Sequence, residues 1–344
     1  MNKVTVIVPI YNVENYVRKC FDSLLNQTYN DFVVFAVNDG SPVNEQVIID
    51  EYVAKFPEKF VGIQKENGGY GSVLEMAIQK CETPYFLVCD PDDYLADDAI
   101  QHLVDLAELS EADITIGAKY FIYSDGEDKD YDAAYNTNFT TLKTNSVYNK
   151  GSAEFDNLFY IDPSPHSKLY RKEVAKNIKF LHKVGYTDNL LFYMSLLNAK
   201  KVVYTDKACA YYLVDRAGNT MTDIRPKALD AHIEVFKEIV KQAQDLKPCD
   251  MFYYRMFESY KFILYQTPRM NGTVEEYSEK LDHLYELVES LIPYRNAIAP
   301  LYKKYAKGGF LEKYRDMQLL KERSSANTFK TIKQKMIENF KVKE

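Results

Sequence analysis

The sequence predicts an α/β protein, with a mostly parallel sheet flanked by helices and a helical extension behind it. Three observations predict it. Short apolar runs rich in β-branched residues, such as Val4-Thr-Val-Ile-Val8 and Phe32 to Val37, have the length and character of buried strands. Between them apolar residues recur at helical spacing, as at Val17, Phe21, Leu24 and Leu25. Past about residue 222 the strand-like runs give way to long helical periodicity, with Ile233, Phe236, Ile239 and Val240, then Leu281, Leu284, Leu287 and Leu291.

In order, the first strand is followed by a turn at Pro9-Ile-Tyr-Asn12 and a helix ending near Asn26. The second strand stops at Asn38-Asp39-Gly40-Ser41, and residues 44–56 read as a helix. Val61-Gly-Ile63 is a brief third strand. Asn67-Gly-Gly-Tyr-Gly71 is a loop before a helix over 72–81. Tyr85 to Cys89 makes a fourth strand, then come an acidic loop, a helix over 97–109 and a strand from Ile114. Residues 125–147 turn polar and read as a long surface loop or a pair of edge strands, placed to act as a lid. Residues 201–214 are strand-like again. The expected domains are therefore 1–222, in halves 1–110 and 111–222, and a helical 223–344.

Composition sets bounds. At 344 residues the chain is long enough for more than one core, and 46% hydrophobic with 27% charged residues is globular. A net charge of −7 argues against a nucleic-acid partner. Cys20, Cys81, Cys89, Cys209 and Cys249 form no CxxC pair and read as reduced thiols, and the histidines lack zinc spacing. The N-terminus has no signal-peptide pattern and no stretch is long and apolar enough to span a bilayer, so a cytoplasmic protein is expected. From Lys321 onward, basic residues accompany Phe329, Ile332, Met336, Ile337 and Phe340 at helical spacing. Two readings stay open for that stretch: a helix lying on the anionic inner face of the cell membrane, or a terminal helix docked on its own domain.

In a βαβ sheet, ligands bind outside the carboxyl ends of the strands. Four polar clusters follow strands here: Tyr11-Asn12, Asn38 to Ser41, Asn67 to Gly69, and Asp90-Pro-Asp92-Asp93. No GxGxxG follows the first strand and no GK[ST] follows the glycines, so neither a dinucleotide fingerprint nor a Walker loop is present. Three carboxylates in four positions repel one another unless a cation joins them. Hard oxygen ligands on a tight turn suit Mg2+ or Mn2+, which bridge to substrate phosphates.

These motifs carry a resemblance. VTVIVPIYNVENYVRKCFDSLLNQTY at 4–29, VNDGS at 37–41, ENGG at 66–69, CDPDDYL at 89–95 and SKLYRKEVAKNIKF at 167–180 resemble, in order and spacing, an inverting family 2 glycosyltransferase of the GT-A fold, of the bacterial glycan-biosynthesis type. The resemblance runs from residue 4 to about 220. It implies a metal-assisted transfer of a hexosyl or N-acetylhexosaminyl unit from a UDP-sugar to a saccharide acceptor that is free, lipid-linked or protein-linked. It also implies a site. Pro9, Tyr11 and Asn12 would line the base pocket, with Glu14 beside them. Asp39 would accept from the uracil N3–H, and Asn67, Gly68 and Gly69 would pass close to base and ribose. Asp90 would contact the ribose or the metal, and Asp92 would hold the metal. Asp93, His166, Lys168 and Arg216 would border the donor sugar, the acceptor or the diphosphate.

Asp188, ahead of a helix running to about Asn198, takes the place of the general base, though Thr-Asp-Asn is also good helix-capping chemistry. The chain departs from the family twice: Thr187 stands where Glu is usual, and Gly69-Tyr-Gly71 replaces a larger residue and a serine pair. Those departures keep a second reading open, a catalytically inactive nucleotide-sugar-binding or scaffolding protein. A homodimer through the helical domain is a further expectation.

Overall fold

The computed structural model describes residues 2–124, 128–216, 226–267, 272–321 and 325–341. The chain divides into two compact units, Met1–Asn219 and Thr220–Glu344. The boundary placed near 222 from sequence lies outside the described residues.

The first unit runs β1 (Val4–Ile10), α1 (Val17–Leu25), β2 (Phe32–Asn38), α2 (Glu45–Lys55), β3 (Phe60–Gln64), α3 (Tyr70–Lys80), β4 (Tyr85–Val88), β5 (Tyr94–Leu95) and α4 (Ala99–Ser110). It continues with β6 (Ile114–Ile122), β7 (Lys129–Asp132), β8 (Ser146–Asn149), α5 (Ala153–Asp156), β9 (Lys168–Arg171), α6 (Lys172–Ala175), α7 (Thr187–Asn198) and β10 (Lys201–Leu213).

One ten-stranded sheet results, in the order β3-β2-β1-β4-β9-β6-β10-β5, with β7 added to β6 and β8 to β10. β3, β2, β1 and β4 are parallel, as the alternation of strands and helices requires. Every residue of β1 is buried, which is why its sequence reads as an unbroken apolar run. Phe21 of α1 packs edge-on to Tyr52 of α2 at 4.9 Å and to Phe60 of β3 at 5.0 Å, closing the core on that face.

One feature departs from the sequence reading. β9 is antiparallel and sits between β4 and β6, splitting the parallel series. Of the two readings of the polar stretch after β6, the structure shows the pair of strands, β7 and β8; residues 125–127 within it lie outside the described residues.

The second unit consists of α8 (Pro226–Ala243), α9 (Asp250–Gln266), α10 (Val274–Leu291), α11 (Arg295–Tyr305), α12 (Phe310–Leu319) and α13 (Ser325–Lys341). Thr273 and Glu276 form a capping box at the start of α10. Asp316, fully buried, accepts from the Tyr302 hydroxyl at 2.7 Å and pairs with Lys261 at 2.7 Å. The basic helix α13 docks on α10: Phe329 is buried against Tyr285, and Lys333 pairs with Asp282. Among the described residues no helix is long and apolar enough to cross a membrane.

Candidate active site

The carboxyl ends of β1, β2 and β4 carry the loops singled out from sequence. Asn12 adopts a left-handed backbone, φ 56°, which asparagine tolerates better than most residues. Its N–H donates to Ser41 Oγ at 2.8 Å, and Ser41 Oγ donates to Glu45 Oε2 at 2.8 Å. Glu45 Oε1 accepts from the Val13 N–H at 2.6 Å, so one fully buried carboxylate ties the first loop to the second. Pro9 is buried in β1, opposite Val37 of β2, while Tyr11, Asn12 and Glu14 are exposed at the rim.

Asp39 holds the next loop. Its Oδ1 accepts from Lys65 Nζ at 2.5 Å and the Gly68 N–H at 3.0 Å, and its Oδ2 accepts from the Gly69 N–H at 2.7 Å. The Asn67 amide donates back to the Asp39 carbonyl at 3.0 Å. Asp39 is thus a structural tie in this fold, with both oxygens directed at the 65–69 segment. Gly69 needs its freedom: φ is 81°, and a Cβ there would meet the Lys183 backbone at 2.9 Å. The Lys183 N–H in turn donates to the Gly68 carbonyl at 2.6 Å, so the glycine loop is clamped from both sides.

Both departures from the family pattern meet at one contact. A Cβ on residue 71 would lie 2.2 Å from the Leu181 carbonyl and 3.1 Å from Thr187 Oγ1. Thr187 is fully buried. The small residue at 71 and the buried threonine at 187 therefore pack directly against each other.

In the acidic loop the three carboxylates have three different partners. Asp90 accepts from the Tyr70 hydroxyl at 2.8 Å. Asp92 is paired with Arg216, whose guanidinium also lies 5.6 Å over the Tyr16 ring. Asp93 is buried: Oδ1 accepts from the Leu213 N–H at 2.8 Å, and Oδ2 lies 2.5 Å from His166 Nε2. Burial pushes the Asp90 carboxyl up to about 7, helped by Asp92 and Asp93 and opposed by His166. Burial raises Asp93 and lowers the His166 imidazolium to about 4, driving both groups toward their neutral forms. The His166 ring stacks on Tyr212, with centroids 4.3 Å apart.

Across the site, Asp188 stands in the first turn of α7. Burial, then the neighbouring Asp162, raises its carboxyl to about 6, against nearby backbone N–H groups and Lys168. Lys168 is buried and donates to the Ser164 carbonyl at 2.5 Å; burial and Lys119 bring its ammonium down to about 7. Lys119, wholly buried on β6, pairs with Asp162 and donates to Ser164 Oγ at 3.0 Å. Burial works against the Asp162 carboxylate, but Lys119 and Lys168 outweigh it and hold the group below the usual range. Tyr70, between the two halves, is within Coulombic reach of Asp90, Asp188 and Asp92, and its hydroxyl is pushed well above its ordinary value by burial first and these charges second.

The structure thus groups Asp90, Asp93, His166 and Arg216 with the acidic loop, and Lys168 with Asp188. Glu45, Lys65, Tyr70, Lys119 and Asp162 were not singled out from sequence. Glu45 had a local signal, an acid opening the helix four residues after Ser41; the other four gain their roles from contacts far apart in the chain.

A divalent cation fits this loop by its chemistry. Among the described residues, Asp90, Asp93 and His166 bring ligand atoms within 4.8 Å of one another; Asp92, expected from sequence to hold the metal, is not in that group and is paired with Arg216. Asp93 and His166 are almost fully buried and bonded to each other, which suits a support for the loop better than contact with substrate phosphate.

Known proteins share this architecture. The profile described as glycosyl transferase family 2 matches residues 5–179. The glycosyltransferase GlyA of Streptococcus pneumoniae is 29% identical over 245 residues, which are 69% of this chain and 34% of GlyA. The chain therefore spans about a third of that relative's length. Among solved structures, S. aureus TarS 1–349 in complex with UDP-GlcNAc superposes with a TM-score of 0.74 at 18% identity, covering 96% of this chain and 90% of that one. The mannosyltransferase PcManGT from Pyrobaculum calidifontis, in complex with GDP-Man and Mn2+, gives a TM-score of 0.53 at 15% identity, covering 99% of this chain and 86% of that one. At such identities the structural likeness concerns the fold.

Proposed function

The chain belongs to glycosyl transferase family 2, and from that premise we propose that it moves a sugar from a UDP-sugar to a hydroxyl of a saccharide acceptor, with inversion and Asp188 as the general base. The observation that carries this reading is that Tyr70 donates to Asp90 at 2.8 Å while the next residue, Gly71, packs against Thr187, the residue before Asp188. On this reading the acidic loop and the base flank one space at the carboxyl edge of the sheet.

The roles follow from the surroundings. Tyr11, Asn12, Glu14 and Asn67 offer an open rim for the nucleobase, and the Asp39-clamped glycines let the backbone approach base and ribose closely. Asp90 and Asp92 would hold Mn2+ or Mg2+, backed by the Asp93–His166 pair. The metal supplies Lewis-acid neutralisation of the departing diphosphate. Arg216 adds a cation at the same edge. Asp188, with a carboxyl at about 6, is ionised at neutral pH yet basic enough to take a proton from the acceptor hydroxyl as it attacks. Lys168 beside it steadies the ionised form.

The packing of Gly71 on Thr187 accounts for the two departures together, which supports the active reading over an inactive binding protein. The experiment is UDP release from a panel of UDP-sugars with Mn2+ and oligosaccharide acceptors. Turnover by the wild type that is lost in Asp188→Asn is expected. Equal turnover by the variant would overturn the assignment of the base, and no turnover with any donor would overturn the activity.

A further inference from the structure

Asp162 and Lys119 have no part in the transfer as proposed, yet they are joined in a particular way. Lys119 is wholly buried, while 42% of the Asp162 side chain is exposed. Lys119 Nζ donates to Asp162 Oδ2, donates to Ser164 Oγ at 3.0 Å, and lies 3.6 Å from Asp132, whose side chain also reaches solvent. Burying an ammonium is costly, and an ion pair adds little stability over apolar packing. Neutral hydrogen bonds are enough to tie a turn to a strand. What the pair does supply is a carboxylate fixed in one orientation at an open surface.

Asp162 also stands in the right place. It opens the run 162–168, in which His166 meets Asp93 of the acidic loop at 2.5 Å and Lys168 Nζ reaches back to the Ser164 carbonyl at 2.5 Å. Lys168 Nζ lies 5.5 Å from the centre of the Phe192 ring. Phe192 is one turn beyond Asp188 on α7, so the two share a helix face. The run therefore touches the acidic loop at one point and the helix of the base at another, and Asp162 is its one carboxylate.

The chemistry selects hydroxyl donors. An ionised carboxylate accepts at about four positions and donates at none. Lys119 fills one position on Oδ2, and the Ser164 N–H fills one on Oδ1 at 3.2 Å. Each oxygen keeps a position for a further donor, and two adjacent hydroxyls of a pyranose match such a pair. Lys119 and Lys168 hold the group ionised and weakly basic, so it binds a hydroxyl without taking its proton, unlike Asp188. Asp132 and Asp162 outnumber Lys119, which turns phosphate away and leaves a neutral saccharide as the ligand.

We infer that Asp162, held by Lys119, binds adjacent hydroxyls of the saccharide acceptor beside the hydroxyl that Asp188 activates. The inference deepens the proposed transfer and rests on it for the identity of the acceptor. It is tested on the full chain with glucose and N-acetylglucosamine oligosaccharides of one to six units, by saturation-transfer NMR and calorimetry, with UDP and UDP-N-acetylglucosamine binding measured in parallel. Asp162→Asn should weaken saccharide binding by about tenfold while UDP affinity holds. Ser164→Ala, which loosens the same turn and keeps the carboxylate, should change it by less than about twofold. If Asp162→Asn does not fold, Lys119→Met combined with Asp162→Asn removes both charges together and should show the same loss. Saccharide binding untouched by loss of the carboxylate, or weakened equally by Ser164→Ala, would overturn the inference. So would a wild type that binds none of the saccharides, or an Asp162→Asn variant that loses affinity for UDP-N-acetylglucosamine alone. A wild type that binds saccharides through Asp162 but does not bind UDP would support the carboxylate's role and refute the donor assignment instead.

Discussion

Asp188→Asn separates activity from stability, and the two should move in opposite directions. The fold raises this carboxyl from 3.8 to about 6. The sign follows from linkage: the folded state binds the proton more tightly, so the group's contribution is fully favourable below 3.8 and is lost as pH climbs through about 6. At pH 8 the ionised group costs the folded state up to about 3 kcal/mol on this basis, and solvent at its partly exposed surface trims that to about 1–2 kcal/mol. Asparagine keeps the shape and removes the charge. The variant should therefore melt about 2–6 °C higher than wild type at pH 8, with a smaller gain at pH 5. Transfer should fall by about a hundredfold or more. Thermal unfolding at both pH values, with UDP release alongside, is the assay. A variant no more stable than wild type at pH 8, or equally stabilised at both pH values, would refute the desolvation argument.

Other outcomes follow from the same geometry. The kcat/KM of the wild type should rise through pH about 6 and level off above it, because the free enzyme acts with Asp188 ionised; a profile flat from pH 5 to 8 would contradict this. Restoring the family's usual acid with Thr187→Glu should destabilise the fold by about 3 kcal/mol or more, since the position is fully buried against Gly71. Denaturant unfolding will read that loss, and a neutral result would mean the pocket is roomier than described. Asp39→Ala strands the Gly68 and Gly69 N–H groups at about 1–3 kcal/mol each, and UDP affinity should drop with the loop's order. Unchanged melting and unchanged affinity would show that Asp39 does not hold the loop.

How legible this was depended on distance along the chain. β1 and β4 are buried on both faces and β2 is buried on one and half-buried on the other, so their runs are visible without any partner. The loops behind them follow from strand ends alone. β9 was not visible, because Lys168-Leu-Tyr-Arg171 is short, mixes charge with apolar residues, and becomes a strand only between β4 and β6. Within the site, Asp90, Asp92 and Asp93 are announced by local pattern, and Asp188 by the family resemblance. Their partners are not: Tyr70 reaches Asp90 across 20 residues, and Arg216 reaches Asp92 across 124. Thr187 looked like a lost function until Gly71 was seen against it, a contact that no spacing rule supplies.

The central claim is a metal-assisted UDP-sugar site on the acidic loop, and calorimetric titration of UDP tests it most directly, with and without Mn2+, on wild type and Asp92→Ala. The account predicts binding that needs both the cation and Asp92. UDP binding of equal strength without metal and in Asp92→Ala would contradict it.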